Sequence, residues 1–176
     1  MATIRQGMAW LIGGFVMCAV ACASAPMEDV QEQSVAMEQI EVGGQSTVET
    51  DGMGFRLIAH AGEFARIYRE IHSGEVPQPS PPAIDFAHSL VLAAFLGQRP
   101  TAGYGIALGP ARHVVEDDGP WLQVAVTTRQ PPAGAIAAQV ITSPYSLIRV
   151  ARGEYRRVRF VAADNEDQVL ARLRLD

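Results

Sequence analysis

The residue types that most often perform catalysis or bind metals are scattered along this chain without the spacing that either task requires. None of the histidines forms an HxH, HExxH or His–Cys pattern; they are His60, His72, His88 and His113. Asp117 and Asp118 are adjacent, so on a strand they would point to opposite faces, and the Gly-Pro pair behind them favours a turn. There is no GxSxG nucleophile motif. The sequence therefore predicts a protein that is not an enzyme and that has neither a metal nor a cofactor.

The first 21 residues have the composition of a signal peptide. Arg5 supplies a positive amino-terminal region, and residues 8–21 are uncharged and apolar but too short to span a bilayer comfortably. Residues 19–22 (AVAC) are typical of a bacterial lipobox, with Ala19 where Leu is usual. We therefore expect lipidation of Cys22, which would anchor the mature chain to a membrane. The alternative is cleavage after Ala25, although Pro26 would then directly follow the scissile bond.

Charge and composition narrow the class of protein further. The net charge of −5 argues against binding to nucleic acid. The 16 glycines and 11 prolines indicate many turns, which favours strands over long helices. Together with the lipobox, these features lead us to expect a lipoprotein of the cell envelope, held in the outer membrane and facing the periplasm or the cell surface.

The most distinctive short motif is RPTAGY at residues 99–104, which follows the densest apolar run, residues 90–96. Pro100 fixes one backbone angle, Thr101 can form local hydrogen bonds, and Gly103 allows a positive φ, so the motif is suited to a tight turn. Two interpretations stay open. Either the turn only shapes the fold, with Tyr104 covering the core, or it presents a rigid loop to a partner protein.

Periodicity predicts one helix and seven to nine short strands. An apolar stripe predicts a helix over about residues 63–72 that packs on a sheet; it consists of Phe64, Ile67, Tyr68 and Ile71. Residues 90–96 are apolar on both faces, as in a central strand that is covered on both sides. Other strands are expected over residues 55–60, 104–108, 113–116, 121–128, 136–142, 147–151, 155–161 and 169–175. A terminal helix that begins near Asp164 competes with the last of these strands.

These elements predict a β-dominated α+β fold, namely an antiparallel β-sandwich or strongly curved sheet with the short helix packed on it. We assign this domain to residues 52–176. Residues 22–51 are polar, acidic and aperiodic, which predicts a flexible tether between the lipid anchor and the domain. A short helix over residues 28–41 is the alternative.

Five arginines cluster in the sequence near a predicted hairpin; they are Arg149, Arg152, Arg156, Arg157 and Arg159. They are open to two interpretations. One is a docking patch for an anionic partner or for lipid headgroups. The other, which the acidic net charge favours, is a charged strand surface that resists edge-to-edge aggregation.

Residues 82–150 resemble the C-terminal domain family of PrcB, a subunit of a protease complex. The resemblance lies in AIDF at 83–86, VLAAFLGQRPTAGY at 91–104, PPAG at 131–134 and ITSPYSLIRV at 141–150, in that order. Residues 55–71 also resemble the strand and helix that usually precede this domain. The resemblance implies an exported, often lipid-anchored accessory protein that supports a protease or another envelope complex without cleaving anything itself.

A more distant resemblance is to the chagasin-type cysteine-peptidase inhibitors, which are immunoglobulin-like sandwiches with three binding loops. Loops 99–104, 131–134 and 143–145 lie in the same order here, but Arg99 replaces an Asn, the middle loop has few glycines and the third lacks Arg and Trp. We expect a non-catalytic accessory module with a protein partner; a peptidase inhibitor and a structural envelope lipoprotein are the alternatives. The expected partner contacts are Arg99, Pro100, Thr101, Gly103, Tyr104, Gly134, Pro144 and Tyr145.

Overall fold

Nine strands and one helix form within residues 32–175, which are the residues that the computed structural model describes. In chain order they are β1 (Gln33–Ser34), β2 (Met37–Gly43), β3 (Gly54–Ile58), α1 (Ala61–Ile71), β4 (Ser89–Phe95), β5 (Gly105–Glu116), β6 (Gly119–Arg129), β7 (Tyr145–Ala151), β8 (Arg157–Ala162) and β9 (Asn165–Arg174). Among these residues no helix is long and apolar enough to cross a membrane. The expected signal peptide and Cys22 lie outside the described residues.

The strands form two sheets. One has five strands in the order β1-β5-β6-β8-β9, and the other has four in the order β2-β7-β4-β3. Neighbouring strands are antiparallel except β6 and β8, which run parallel. The predicted β-dominated sandwich with one helix is therefore confirmed, with a single parallel pair that the sequence did not predict.

Strand β4 is buried along its whole length because it is covered on both faces. Leu90, Leu92 and Ala94 belong to the core between the two sheets. Val91 and Phe95 point the other way, into a second core beneath the helix. This double burial explains why the run is apolar at consecutive positions rather than at alternate ones.

Helix α1 packs its single apolar stripe on the outer face of the four-stranded sheet. The stripe is the predicted one, and all four of its residues are buried: Phe64, Ile67, Tyr68 and Ile71. The helix spans residues 61–71 rather than the expected 63–72, so it begins slightly earlier than the stripe alone indicates. The molecule thus has three layers, with the four-stranded sheet in the middle.

The predicted tether needs a correction between residues 33 and 43, which form two strands. β1 pairs with β5 of the five-stranded sheet, and β2 pairs with β7 of the other sheet, so this stretch joins both sheets along one side. Its polar composition conceals the role because β2 contributes mainly backbone hydrogen bonds at a sheet edge. The folded part therefore begins before residue 52, and the alternative helix over residues 28–41 is not formed within residues 32–41.

Three further strand predictions differ from the structure. Residues 136–142 do not form the predicted strand and contain only an isolated bridge at Thr142. The two strands predicted over 104–108 and 113–116 are one strand, β5, which passes through Gly109-Pro110 by a shift of register. The carboxyl-terminal segment is the strand β9 and not the competing helix from Asp164.

Candidate functional site

The connections from β4 to β5 and from β6 to β7 lie side by side at one end of the sandwich. Each crosses from one sheet to the other, so the chain must cover the end of the core twice. We call residues 96–104 and 130–144 together the loop end. It contains the loops 99–104 and 131–134 and most of 143–145, the three segments that the sequence predicted to bind a partner.

Backbone hydrogen bonds join the two segments of the loop end. Arg99 N donates to Thr142 O over 2.7 Å, and Thr142 N donates back to Arg99 O over 2.9 Å. Ala102 N donates to Ala138 O, and Leu96 N donates to Pro144 O. Because these bonds join residues about 40 positions apart in sequence, the two crossovers form one continuous surface rather than two independent loops.

Gly103 shows why the turn motif needs glycine. Its φ of 96° is one that other residues rarely adopt, and a Cβ there would lie 3.2 Å from the Cβ of Pro131. Thr101 also joins the turn to the second segment of the loop end, because its carbonyl accepts a hydrogen bond from Thr142 Oγ1 over 3.1 Å. The motif therefore shapes the turn and seats it against the neighbouring loop, which is the structural role that the sequence predicted as one of its two interpretations.

Arg99 braces the loop end from within. Its side chain is half-buried, Nη2 donates to Leu96 O over 2.9 Å, and its guanidinium lies 5.9 Å from the centre of the Tyr104 ring. Tyr104 in turn packs against the core between the sheets. These two expected contact residues thus present only part of their surface to a partner.

The remaining expected contacts divide into exposed and buried residues. Pro100, Gly103 and Gly134 are exposed. Pro144 and Tyr145 are buried, so neither can touch a partner from its present position. The third loop therefore supports the surface from below and does not form part of it.

Tyr145 belongs to the core beneath the helix. Its hydroxyl donates to Glu41 Oε1 over 2.6 Å, and the other oxygen of that carboxylate lies 3.3 Å from Nε2 of His72. Nδ1 of the buried His72 lies 2.6 Å from Glu75 Oε1. Burial, and then the hydrogen bond to Glu41, raise the pKa of the Tyr145 phenol. This network holds β2 to the helix and has a structural role.

The sequence missed the most exposed apolar part of the loop end. Ile136 is fully exposed, Ile141 is 63% exposed and Val140 is 46% exposed. Ile136, Ala138 and Val140 alternate with other residues, and that pattern predicts a strand with one face in the core. The flanking sequence argues against a paired strand here, since Pro131-Pro132 and Pro144 interrupt sheet pairing on both sides.

A cleft of about 460 Å³ lies between the two segments of the loop end. Its lining consists of alanines, Gly103, two prolines and Ile136, together with Arg129 and Gln130. No acid, histidine, serine or cysteine lines the cleft, so it offers contact area and one positive charge but no group that could transfer a proton.

Across the described part of the chain, no cluster of histidine, cysteine and acidic residues could hold a metal ion.

Three members of the arginine cluster lie on strands of the two sheets and pair with acids, whereas Arg152 and Arg156 lie between β7 and β8. Arg149 contacts Glu38 on the four-stranded sheet. Arg157 contacts Asp118 and lies over the Trp121 ring at 4.2 Å, on the five-stranded sheet, where Arg159 also pairs with an acid. The hydrogen bond from Arg157, followed by that from Trp121, lowers the pKa of Asp118. The charged-surface interpretation therefore fits these residues better than a docking patch.

Comparison with known proteins bears on this same region. The family model described as PrcB C-terminal matches residues 90–151. Residues 90–151 belong to the PrcB C-terminal family. The resemblance predicted from the sequence is thereby confirmed over this range, and the PrcB C-terminal segment runs from β4 to β7, so it contains the whole loop end. Neither the curated proteins nor the solved structures include a significant match to the chain.

We expect Tyr145→Phe, within the PrcB C-terminal segment, to lower stability in a pH-dependent way. At pH 7 the lost hydrogen bond to Glu41 should lower the free energy of unfolding by about 1 kcal/mol. Because the folded-state pKa is raised, the contribution of the phenol is complete below pH 10, the ordinary value, and is lost as the pH rises from there toward the folded-state value. Urea unfolding between pH 7 and 11 measures both effects. An equal decline of parent and variant above pH 10 would contradict the assignment.

Proposed function

We propose that this protein is a non-catalytic binding module whose loop end docks a partner protein. The observation that carries the proposal is the joining of two crossovers by backbone hydrogen bonds into one exposed apolar surface. A surface of this kind is pre-organised, so a partner would not have to order two separate loops on binding. Exposed apolar side chains that cluster at one end of a domain are typical of interaction sites.

The class of partner is a protease or another envelope complex. The family to which residues 90–151 belong is named for PrcB, and the resemblance implies an accessory role beside a protease. The same resemblance implies a non-catalytic role. The module would therefore position or stabilise the complex that it joins.

We also propose that the protein is exported and anchored through Cys22 in the outer membrane. Support comes from the lipobox-like residues 19–22, and the direction in which the chain enters the fold is compatible with an anchor. Gln33 pairs with His113, close to the β5–β6 turn and away from the loop end. The described chain thus enters the fold away from the loop end, which leaves the loop end accessible to a partner.

Two alternatives are less well supported. A chagasin-like inhibitor needs three exposed loops, whereas Pro144 and Tyr145 of the third are buried. A purely structural envelope lipoprotein would need no exposed apolar cluster, and the fully exposed Ile136 has no structural use among the described residues.

Ile136→Asp should abolish docking without unfolding the domain. The side chain is fully exposed, so the stability should change by no more than about 0.5 kcal/mol, whereas a carboxylate in an apolar contact costs binding energy. The measurement is chemical crosslinking in intact envelopes, followed by recovery of the tagged protein and quantification of its crosslinked partners. Val115→Asp is the matched control, because Val115 is exposed and apolar but lies near the opposite end. Partner recovery that Ile136→Asp leaves unchanged, or that both variants reduce alike, would contradict the proposal.

Cys22→Ser should leave the protein without lipid. The thiol is the group that an acyl-transfer system would modify, and serine cannot replace it in lipobox processing. Metabolic labelling with an alkyne fatty acid, read by gel mobility and by membrane fractionation, tests this. Normal labelling of the Cys22→Ser protein would show that the anchor lies elsewhere.

A further inference from the structure

The segment from Ala135 to Ile141 has the composition of a strand but lacks a strand partner. Its sequence, AIAAQVI, is uncharged and rich in β-branched and small apolar residues. On one side Ala102 N donates to Ala138 O, and Thr142, the residue after the segment, pairs with Arg99. Within residues 32–175 no strand lies along its other side.

The backbone of this segment is available for hydrogen bonding. Of the six amides from Ile136 to Ile141, only that of Val140 donates a hydrogen bond within the part of the chain that the structure describes, and it donates to Ala138 O in a three-residue turn. The carbonyls of Ala138 and Ile141 also accept hydrogen bonds, the second from Gln45 Nε2, so the free backbone groups are the other amides and carbonyls of the segment. Most of these residues are exposed, so their free backbone groups are solvated and can exchange water for a partner. An open row of amides and carbonyls is the feature that strand addition uses.

One positive charge stands beside the segment. Arg129 lines the cleft, and its Nε and Nη2 lie over Gly105, each 3.6 Å from the position that a Cβ of residue 105 would occupy. Arg129 forms no ion pair with any residue between 32 and 175. The cleft thus combines apolar walls, free backbone groups and a cation that lacks a counter-charge.

We propose that residues 135–141 accept an extended segment of a partner protein as an added β-strand, and that this segment alternates apolar residues and carries a carboxylate that meets Arg129. The proposal rests on the function proposed above and specifies how the partner is held. Backbone pairing would supply affinity, the small apolar walls of the cleft would favour apolar side chains, and Arg129 would fix the direction of the added strand.

A second copy of this chain does not fit the site as well. Residues 130–144 contain no acidic residue, so a copy that paired through its own loop end would bring no carboxylate to Arg129. It would also bring its own Arg129 to the interface, where like charges repel each other. Charge complementarity therefore favours a different protein with an acidic, apolar strand.

The probe for the test is a displayed library of random dodecapeptides, selected against the mature full-length protein. The enriched peptides should alternate apolar residues and share one acidic residue. Their affinity for Ala137→Pro should fall by about tenfold or more, since proline removes an amide and blocks strand pairing, whereas Ala137→Ser should change it by less than about twofold. Because the Ala137 amide donates no hydrogen bond within residues 32–175, proline there removes none from the fold. Against Arg129→Gln, the enriched peptides should no longer share the acidic residue.

A second measurement uses the unaltered protein, in case the proline variant does not fold. A bound peptide should slow the amide hydrogen exchange of residues 136–138 by about tenfold or more. Strand addition is wrong if no alternating peptide is enriched, if Ala137→Pro binds as tightly as the parent, or if these amides exchange at an unchanged rate.

Crosslinking in intact envelopes separates strand addition from the docking function proposed above. Loss of the partner with Ile136→Asp but not with Ala137→Pro would reject strand addition and leave the docking function in place.

Discussion

The burial of β4 on both faces is the constraint on which the rest of the structure depends. On one face of this strand Leu92 packs in the core against the five-stranded sheet, and on the other face Phe95 packs in the core beneath the helix. A strand of this kind must lie in the interior of its sheet, and it does, between β3 and β7. The next strand in sequence, β5, belongs to the opposite sheet, so the chain must cross the end of the core immediately after Phe95.

That crossing creates the loop end. The chain returns by a second crossover, from β6 to β7, and the two are held together by the paired backbones of Arg99 and Thr142. The core determines the position of the loop end, and the turn motif at residues 99–104 determines its shape. Side chains that the core does not need, Ile136 above all, are then free to face a partner. This division between a rigid scaffold and exposed connecting loops is a common basis for protein recognition.

The sequence predicted the core well and the loop surface only in part. Residues 90–96 and the stripe of the helix are identifiable because burial imposes a regular pattern on neighbouring positions. The same pattern misleads at residues 136–142, since alternation shows that a segment is suited to a strand but not whether a partner strand is present. Tyr145 resembles a surface residue because Ser143-Pro144 is typical of a loop, whereas packing in the core beneath the helix buries it and the distant Glu41 accepts its hydrogen bond. The role of β2 is hidden for a related reason, because edge strands are held by backbone bonds that leave little trace in composition.

The most direct test of the account is amide hydrogen exchange at the loop end, measured residue by residue on the protein alone. The pairing of the two crossovers predicts that the amides of Arg99 and Thr142 exchange at least about a hundredfold more slowly, relative to their intrinsic rates, than those of Ile136 and Ala137. Exchange of Thr142 as fast as that of Ala137 would show that the crossovers are independent loops. In that case there would be no single pre-organised surface for a partner.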